Sequence, residues 1–317
     1  DERTQLRSDW SSSFVDLSTA KSATNTYAVL ETPVLMTHFD TRVHGIYFGL
    51  DNQSVVISNS AASTTFSTNY VNQANGNAPI LSSFDEDFSI DSNYFTRTGT
   101  PNPSEGVYLE GPFDIPDGGN AYATSFRDNY VNNISNTAVL VTGSGTDRAI
   151  TLTQNIIGQI NRPVNGYGFL ISNSDLKVLS FTSNVVAYTD DTGLKIKNTS
   201  LSNVIYFNSN SMNNIQSIYG IQFDGTTFKN LDNISMTFNS NTMNMAVNGN
   251  HAVYMDSVNG VNNLSVSNGI YSNGTSAFTI STTGVISNVS ISSGLYDDLT
   301  DNAYTMNAQS LFNLDVT

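Results

Sequence analysis

Ala138-Val139-Leu140-Val141 and Gly168-Phe169-Leu170-Ile171 are one phrase: a small residue, a bulky apolar one, a variable one, a bulky apolar one. It returns as Gly193-Leu194-Lys195-Ile196, Gly220-Ile221-Gln222-Phe223, Ala252-Val253-Tyr254-Met255, Ala277-Phe278-Thr279-Ile280 and Ala303-Tyr304-Thr305-Met306. Successive small residues lie 25 to 32 residues apart. A period in that range marks a solenoid made from one repeated unit.

Each phrase is followed by a second element, as in Thr151-Leu152-Thr153-Gln154-Asn155, Ser180-Phe181-Thr182-Ser183-Asn184, Tyr206-Phe207-Asn208-Ser209-Asn210, Thr237-Phe238-Asn239-Ser240-Asn241 and Ser265-Val266-Ser267-Asn268. Apolar residues alternate there with Ser, Thr and Asn, the period of two expected of a strand with one buried face. A third short stretch follows, such as Val185-Val186-Ala187-Tyr188 or Gly269-Ile270-Tyr271. Three strands in so short a repeat leave only brief turns, so each must pair with its counterpart one repeat away. The spacing therefore predicts an all-β, single-domain, right-handed parallel β-helix, the hand following from the crossover rule for parallel strands.

Upstream the phrase continues through Gly106-Val107-Tyr108-Leu109, Ala78-Pro79-Ile80-Leu81 and Gly45-Ile46-Tyr47-Phe48. This gives about ten coils over residues 45–317 and, at about 4.8 Å per coil, a column about 45 Å long. Residues 1–44 do not fit the repeat and are expected to form an N-terminal cap, with the stretch Trp10 to Leu30 as its substance. Open solenoid ends need covering because they expose unpaired strand edges. The chain stops within the second strand of its last coil, so either a longer solenoid or docking on a neighbour is expected.

The recurring asparagines are predicted to stack at one corner. Asn155, Asn184, Asn210, Asn241 and Asn268 form the expected ladder, with Asn129, Asn93 and Asn69 as upstream matches. The recurring Ser-x-Asn before a short apolar strand, with Gly-apolar-x-apolar opening the next coil, resembles the parallel β-helix repeats of the pectate-lyase-like superfamily. That resemblance implies a fold and not a chemistry, since the superfamily holds lyases, glycosidases, phage tailspikes, autotransporter passengers and non-catalytic adhesin-like surface proteins.

Composition narrows the partners. The formal charge of −15, with 12 Lys and Arg among 317 residues, opposes binding to nucleic acid or anionic lipid. No apolar run is long enough for a membrane span. The absence of cysteine removes disulfide and thiolate–metal chemistry. A cysteine-free, lysine-poor solenoid rich in Ser, Thr and Asn resembles secreted and surface proteins, which places the chain outside the cell or on its surface.

Candidate chemistry is sparse. Asp190 and Asp191, followed by Lys195 and Lys197, have a superficial likeness to polygalacturonase elements, but that family's Gly-His-Gly and Asn-Thr-Asp are missing. Solvated turn residues are the better reading of that pair. His38, His44 and His251 show no metal-ligand spacing. No cofactor is implied; turn aspartates leave calcium open, without the nonapeptide repeats that would make it specific. Asn-x-Ser/Thr sequons occur at Asn133, Asn198, Asn263, Asn273 and Asn288 among others, several of them where a strand of the repeat begins. Tyr47, Tyr108 and Tyr254 hold the variable outward position of the first strand, so an aromatic interaction face is expected there.

Two functions follow as expectations. The first is a non-catalytic rigid face: an adhesin, a passenger-like domain or a subunit of an extracellular filament that self-associates head-to-tail or laterally, or holds a surface glycan or protein ligand. The second is a β-helix that binds or degrades polysaccharide, as tailspikes, lyases and glycosidases do.

Overall fold

The computed structural model describes residues 5–7, 34–36, 42–45, 47–50, 56–59, 64–73, 80–83, 88–96, 105–111, 123–143, 149–158, 164–216, 218–229, 231, 234–245 and 251–317. Every named element among them is a β-strand, and all interstrand pairing is parallel between successive coils. The protein is a parallel β-helix with three sheets. The first has 11 strands, from Val34–Met36 to Tyr304–Asn307. The second is 13-stranded, from Gln5–Arg7 to Ser310–Val316, and the third 10-stranded, from Tyr47–Leu50 to Leu295–Asp297.

The repeated phrase builds the first sheet. Val139 pairs with Phe169 and Val141 with Ile171; Phe169 then pairs with Leu194 and Ile171 with Ile196. The two bulky residues point inward and the variable one outward, as the alternating burial of Val139–Thr142 and Phe169–Ser172 shows. The small residue is steric. A Cβ on Gly168 would meet the carbonyl oxygen of Gly193 at 2.5 Å, and one on Gly220 that of Ala252 at 2.7 Å. The core is a single column from Val43 to Ile291. Phenylalanines of the second sheet stack along it, Phe207 on Phe238 with centroids 4.6 Å apart.

Three expectations change. Tyr47–Leu50 lies in the third sheet, paired with Tyr70–Gln73, and not in the first. Gly45, with φ of 68°, aligns with the left-handed corner residue Thr68, because His44 pairs with Ser67. Its glycine serves a turn and is not the phrase's small residue. The first sheet is carried at this level by Val34–Met36 and Val56–Asn59, which have no small-residue opening. Strands Gln5–Arg7, Val34–Met36 and Arg42–His44 thus join the sheets ahead of residue 45. The cap segment Trp10 to Leu30 and Pro79 lie outside the described residues.

The corner between second and third sheets repeats a two-residue device. Thr68, Ser92, Asp128, Gln154, Ser183, Ser209 and Ser240 take left-handed conformations, with φ between 52° and 58°. The next residue in each case is a buried asparagine: Asn69, Asn93, Asn129, Asn155, Asn184, Asn210 and Asn241. Each amide but the last donates to the next: Asn155 Nδ2 to Asn184 Oδ1 at 2.9 Å, Asn184 to Asn210 at 3.2 Å, Asn210 to Asn241 at 2.9 Å. The second amide hydrogen goes to a core-strand carbonyl, from Asn184 to Leu152 O and from Asn210 to Phe181 O, both at 2.8 Å. From Asn93 to Asn241 each Oδ1 also accepts a backbone N–H, so the amides between the two ends of the stack are fully bonded.

Asn268 is not part of this stack. It is exposed and holds the left-handed position itself, with φ of 52°, and its Nδ2 donates to Asn239 Oδ1. The stack position is Gly269. Asparagine tolerates left-handed backbone, which is why one residue type serves both places and the register slips by one in the sequence. A second, shorter asparagine stack lies within the second sheet: Asn313 Nδ2 donates to Asn288 Oδ1 at 2.9 Å, and Asn288 Nδ2 to Asn262 Oδ1 at 2.8 Å. The sequon residues Asn263 and Asn288 are left-handed kinks there.

Candidate functional site

Alternation places every second residue of the first sheet on the outer surface, in columns parallel to the helix axis. One column runs Tyr108, Leu140, Leu170, Lys195, Gln222, Tyr254, Thr279 and Thr305, set by direct strand register. A second runs Glu110, Thr142, Ser172, Lys197, Asp224 and Asp256. A further line of positions, just before the small residue of each phrase, holds Tyr167, Tyr219 and His251, which are half-buried, and Thr192 and Ser276, which are buried.

These columns bring one cluster together. The Tyr219 and Tyr254 rings stack with centroids 4.6 Å apart at 24°, and His251 packs on both, 6.0 Å from Tyr219 and 5.3 Å from Tyr254. His251 Nδ1 shares a hydrogen bond of 3.0 Å with Thr279 Oγ1. One coil before Tyr219, Lys195 Nζ lies 3.1 Å from Asp224 Oδ2 and 5.7 Å from the centre of the Tyr167 ring. Beyond the rings the surface dips into a notch of about 300 Å³ lined by Asp256, Ser257, Ser281, Thr282, Thr283, Asn307 and Ala308.

Ionisation follows from the neighbours. Partial burial, then Asp256, pushes the Tyr219 phenol up, Lys195 opposing. The same two causes raise Tyr254, while Tyr167 is raised by burial and then by Asp191. Burial lowers His251 and Asp301 opposes this. At neutral pH the three tyrosines are therefore protonated donors and His251 is an uncharged ring.

The sequence-predicted residues fall in several places. Tyr254 is in the cluster. Tyr108 is in the same column five rungs away, about 24 Å at the usual strand spacing, with its hydroxyl bonded to Thr142 Oγ1 at 2.8 Å. Tyr47 belongs to the third sheet, so the three do not share one face. Asp190 and Asp191 occupy the turn from third to first sheet. Asp191 Oδ1 accepts the Thr192 N–H at 2.7 Å, and Asp190 is exposed. The pattern that would have revealed the cluster is an aromatic directly before the small residue: Tyr167-Gly168, Tyr219-Gly220, His251-Ala252. Among the described residues no group of three or more His, Cys, Asp or Glu could hold a metal ion, and no helix is long and apolar enough to cross a membrane.

No protein-family model matches the chain, and no curated protein matches it in sequence. Solved structures match it in fold. The A-module of the mannuronan C-5 epimerase AlgE6 of Azotobacter vinelandii superposes with a TM-score of 0.51 at 11% identity, over 89% of this chain and 75% of that one. The catalytic unit of a thermostable GH87 α-1,3-glucanase from Streptomyces thermodiastaticus strain HF3-3 gives 0.46 at 11% identity, over 89% of this chain and 60% of that one. At such identity the likeness to the epimerase module is one of fold, and it places the chain among parallel β-helix proteins.

Proposed function

We propose that this protein is an extracellular or cell-surface β-helix that binds polysaccharide along the outer face of its first sheet. The observation that carries this reading is the Tyr219–His251–Tyr254 cluster, a set of uncharged rings with hydrogen-bonding edges on a rigid sheet. Sugar rings present an apolar C–H face and a rim of hydroxyls, and such aromatics offer a matching surface at little cost in conformational freedom. The notch beside Asp256 adds hydroxyl and amide partners for that rim. The β-helix fold of a module named for mannuronan supports a saccharide ligand in preference to a protein one. A processing activity on the same face would use the same rings to hold its chain.

Affinity electrophoresis and calorimetry against a panel of neutral, acidic and amino polysaccharides test the proposal. Tyr254→Ala is expected to weaken binding about tenfold, equivalent to about 1.4 kcal/mol, with the melting temperature nearly unchanged because the ring is on the surface. Assay of the same mixtures for new reducing ends and unsaturated products separates binding from turnover. Absence of binding across the panel, or binding indifferent to Tyr254, would overturn the reading.

A further inference from the structure

On the outer face of the first sheet a carboxylate beside tyrosine rings occurs twice, in different registers, once with a lysine and once without. In the complete copy the ammonium of Lys195 lies 3.1 Å from the Asp224 carboxylate and 5.7 Å from the centre of the Tyr167 ring. The carboxylate supplies the counter-charge and the ring its negative face, the usual surroundings of a bound cation. In the other copy Asp256, in direct register with Asp224, stands beside the Tyr254 and Tyr219 rings. No lysine completes it: the residues in register with Tyr254 on either side are Gln222 and Thr279. Asp256 forms no ion pair with any described residue, and it lines the notch of about 300 Å³ together with Ser257, Ser281, Thr282, Thr283 and Asn307.

We infer that this second copy takes its ammonium from the ligand, and that the polysaccharide bound on this face is a hexosamine polymer with free amino groups. The inference rests on the proposed glycan-binding face and names the class of glycan. The other charges on the face agree with it. His251 is uncharged at neutral pH, Asp301 lies near it, and the two lysines stand on one rung, Lys195 neutralised by Asp224 and Lys197 in register with that same Asp224. A uronate chain would bring its carboxylates against Asp256, whose partner in register is the acidic Asp224. A neutral chain would leave Asp256 unpaired within the complex, a cost that an ammonium removes. The hydroxyl-lined notch accommodates the rest of the amino sugar.

The test is calorimetry of the intact chain with three hexamers, of glucosamine, of N-acetylglucosamine and of galacturonate, at physiological salt. The glucosamine hexamer is expected to bind at least tenfold more tightly than the acetylated one, and the galacturonate hexamer not at all. Asp256→Asn is expected to abolish that tenfold preference, while Asp297→Asn, an equal change of charge on the third sheet, leaves it intact. Equal weakening by the two variants would show general attraction of a polycation to an acidic protein and would sink the inference. Tyr254-dependent binding of the acetylated or galacturonate hexamer with equal or greater affinity would overturn the amino-sugar assignment while leaving the glycan-binding face standing. Failure of all three hexamers and of the wider panel would remove both.

Discussion

From Asn69 to Asn241 the corner between second and third sheets is filled by asparagine amides, and the inward residue two positions on is Val71, Phe95, Val131, Ile157, Val186, Met212 or Met243. At the next two coils the asparagine gives way to Gly269 and Gly294, and the inward residues are Tyr271 and Tyr296. The exchange is one of volume within a single corner. A Cβ on Gly269 would lie 2.3 Å from Tyr271 Cε2, and one on Gly294 2.0 Å from the Tyr296 hydroxyl. The tyrosine rings lean back into the space that asparagine side chains occupy below, stacked on each other at 5.7 Å and 5°. The lower corner is thus held by a polar chain with its hydrogen bonds made, and the upper one by aromatic packing that leaves the Tyr271 and Tyr296 hydroxyls buried without a partner.

The largest effect should come from breaking the polar half. Asn210→Leu strips the acceptor from the Asn184 backbone N–H and Nδ2 and the donor from Phe181 O. Three buried groups lose partners at about 1–3 kcal/mol each, so destabilisation of at least about 3 kcal/mol is expected in urea titration. A loss under about 1 kcal/mol would mean that water replaces the ladder and that the corner is not cooperative.

Next in size is a cycle across the boundary. Gly269→Asn alone should be destabilising by about 2 kcal/mol through overpacking against Tyr271, and Tyr271→Met alone should cost about as much by leaving the ring's volume empty. Together they recreate the lower type of corner, placing an amide next to Asn241. A favourable coupling of about 1–3 kcal/mol is expected from the double-mutant cycle. Strict additivity would show that the two sites do not compete for one space.

How far this boundary can be read in the sequence depends on which residues are ambiguous. The three-strand coil was legible because a buried narrow core forces alternation, and Gly168, Gly193 and Gly220 announce the tight corner into the first sheet. The ladder was legible as far as Asn241. It was misread at Asn268 because Ser267-Asn268 imitates Ser183-Asn184 while sitting one residue early, and only the chain path distinguishes a left-handed corner from the buried position after it. Gly269-Ile270-Tyr271 and Gly294-Leu295-Tyr296 hold the compensating clue, a glycine two residues before a tyrosine. The aromatic cluster was only partly legible. Tyr254 stood out at an outward position, but its contact with Tyr219 joins residues 35 positions apart in the chain, and Lys195 meets Asp224, 29 positions on, only through the pairing of successive coils.

A smaller, pH-dependent difference separates the halves as well. Burial raises the Tyr271 phenol far above its ordinary range and raises Tyr296 too. The unfolded chain deprotonates near pH 10 while the folded one keeps these protons. The unfolded state then binds fewer protons, and stability falls as pH rises above about 10. Tyr271→Phe should therefore flatten the alkaline limb of a stability–pH curve by one proton. An unchanged slope would mean that the hydroxyl titrates freely in the folded corner.

The smallest effect is the one that fixes the register. Asn268 is exposed, and a left-handed residue there needs only tolerance of positive φ, so Asn268→Gly should change stability by no more than about 0.5 kcal/mol. Asn268→Leu should cost about 1 kcal/mol, the penalty of a branched side chain in left-handed backbone, without any loss of buried hydrogen bonds. The order Asn210→Leu, then Asn268→Leu, then Asn268→Gly discriminates between the two roles of asparagine at this corner. If Asn268→Gly were as damaging as Asn210→Leu, the amide stack would have to extend past Asn241, and the tyrosines above it could not occupy the corner at all.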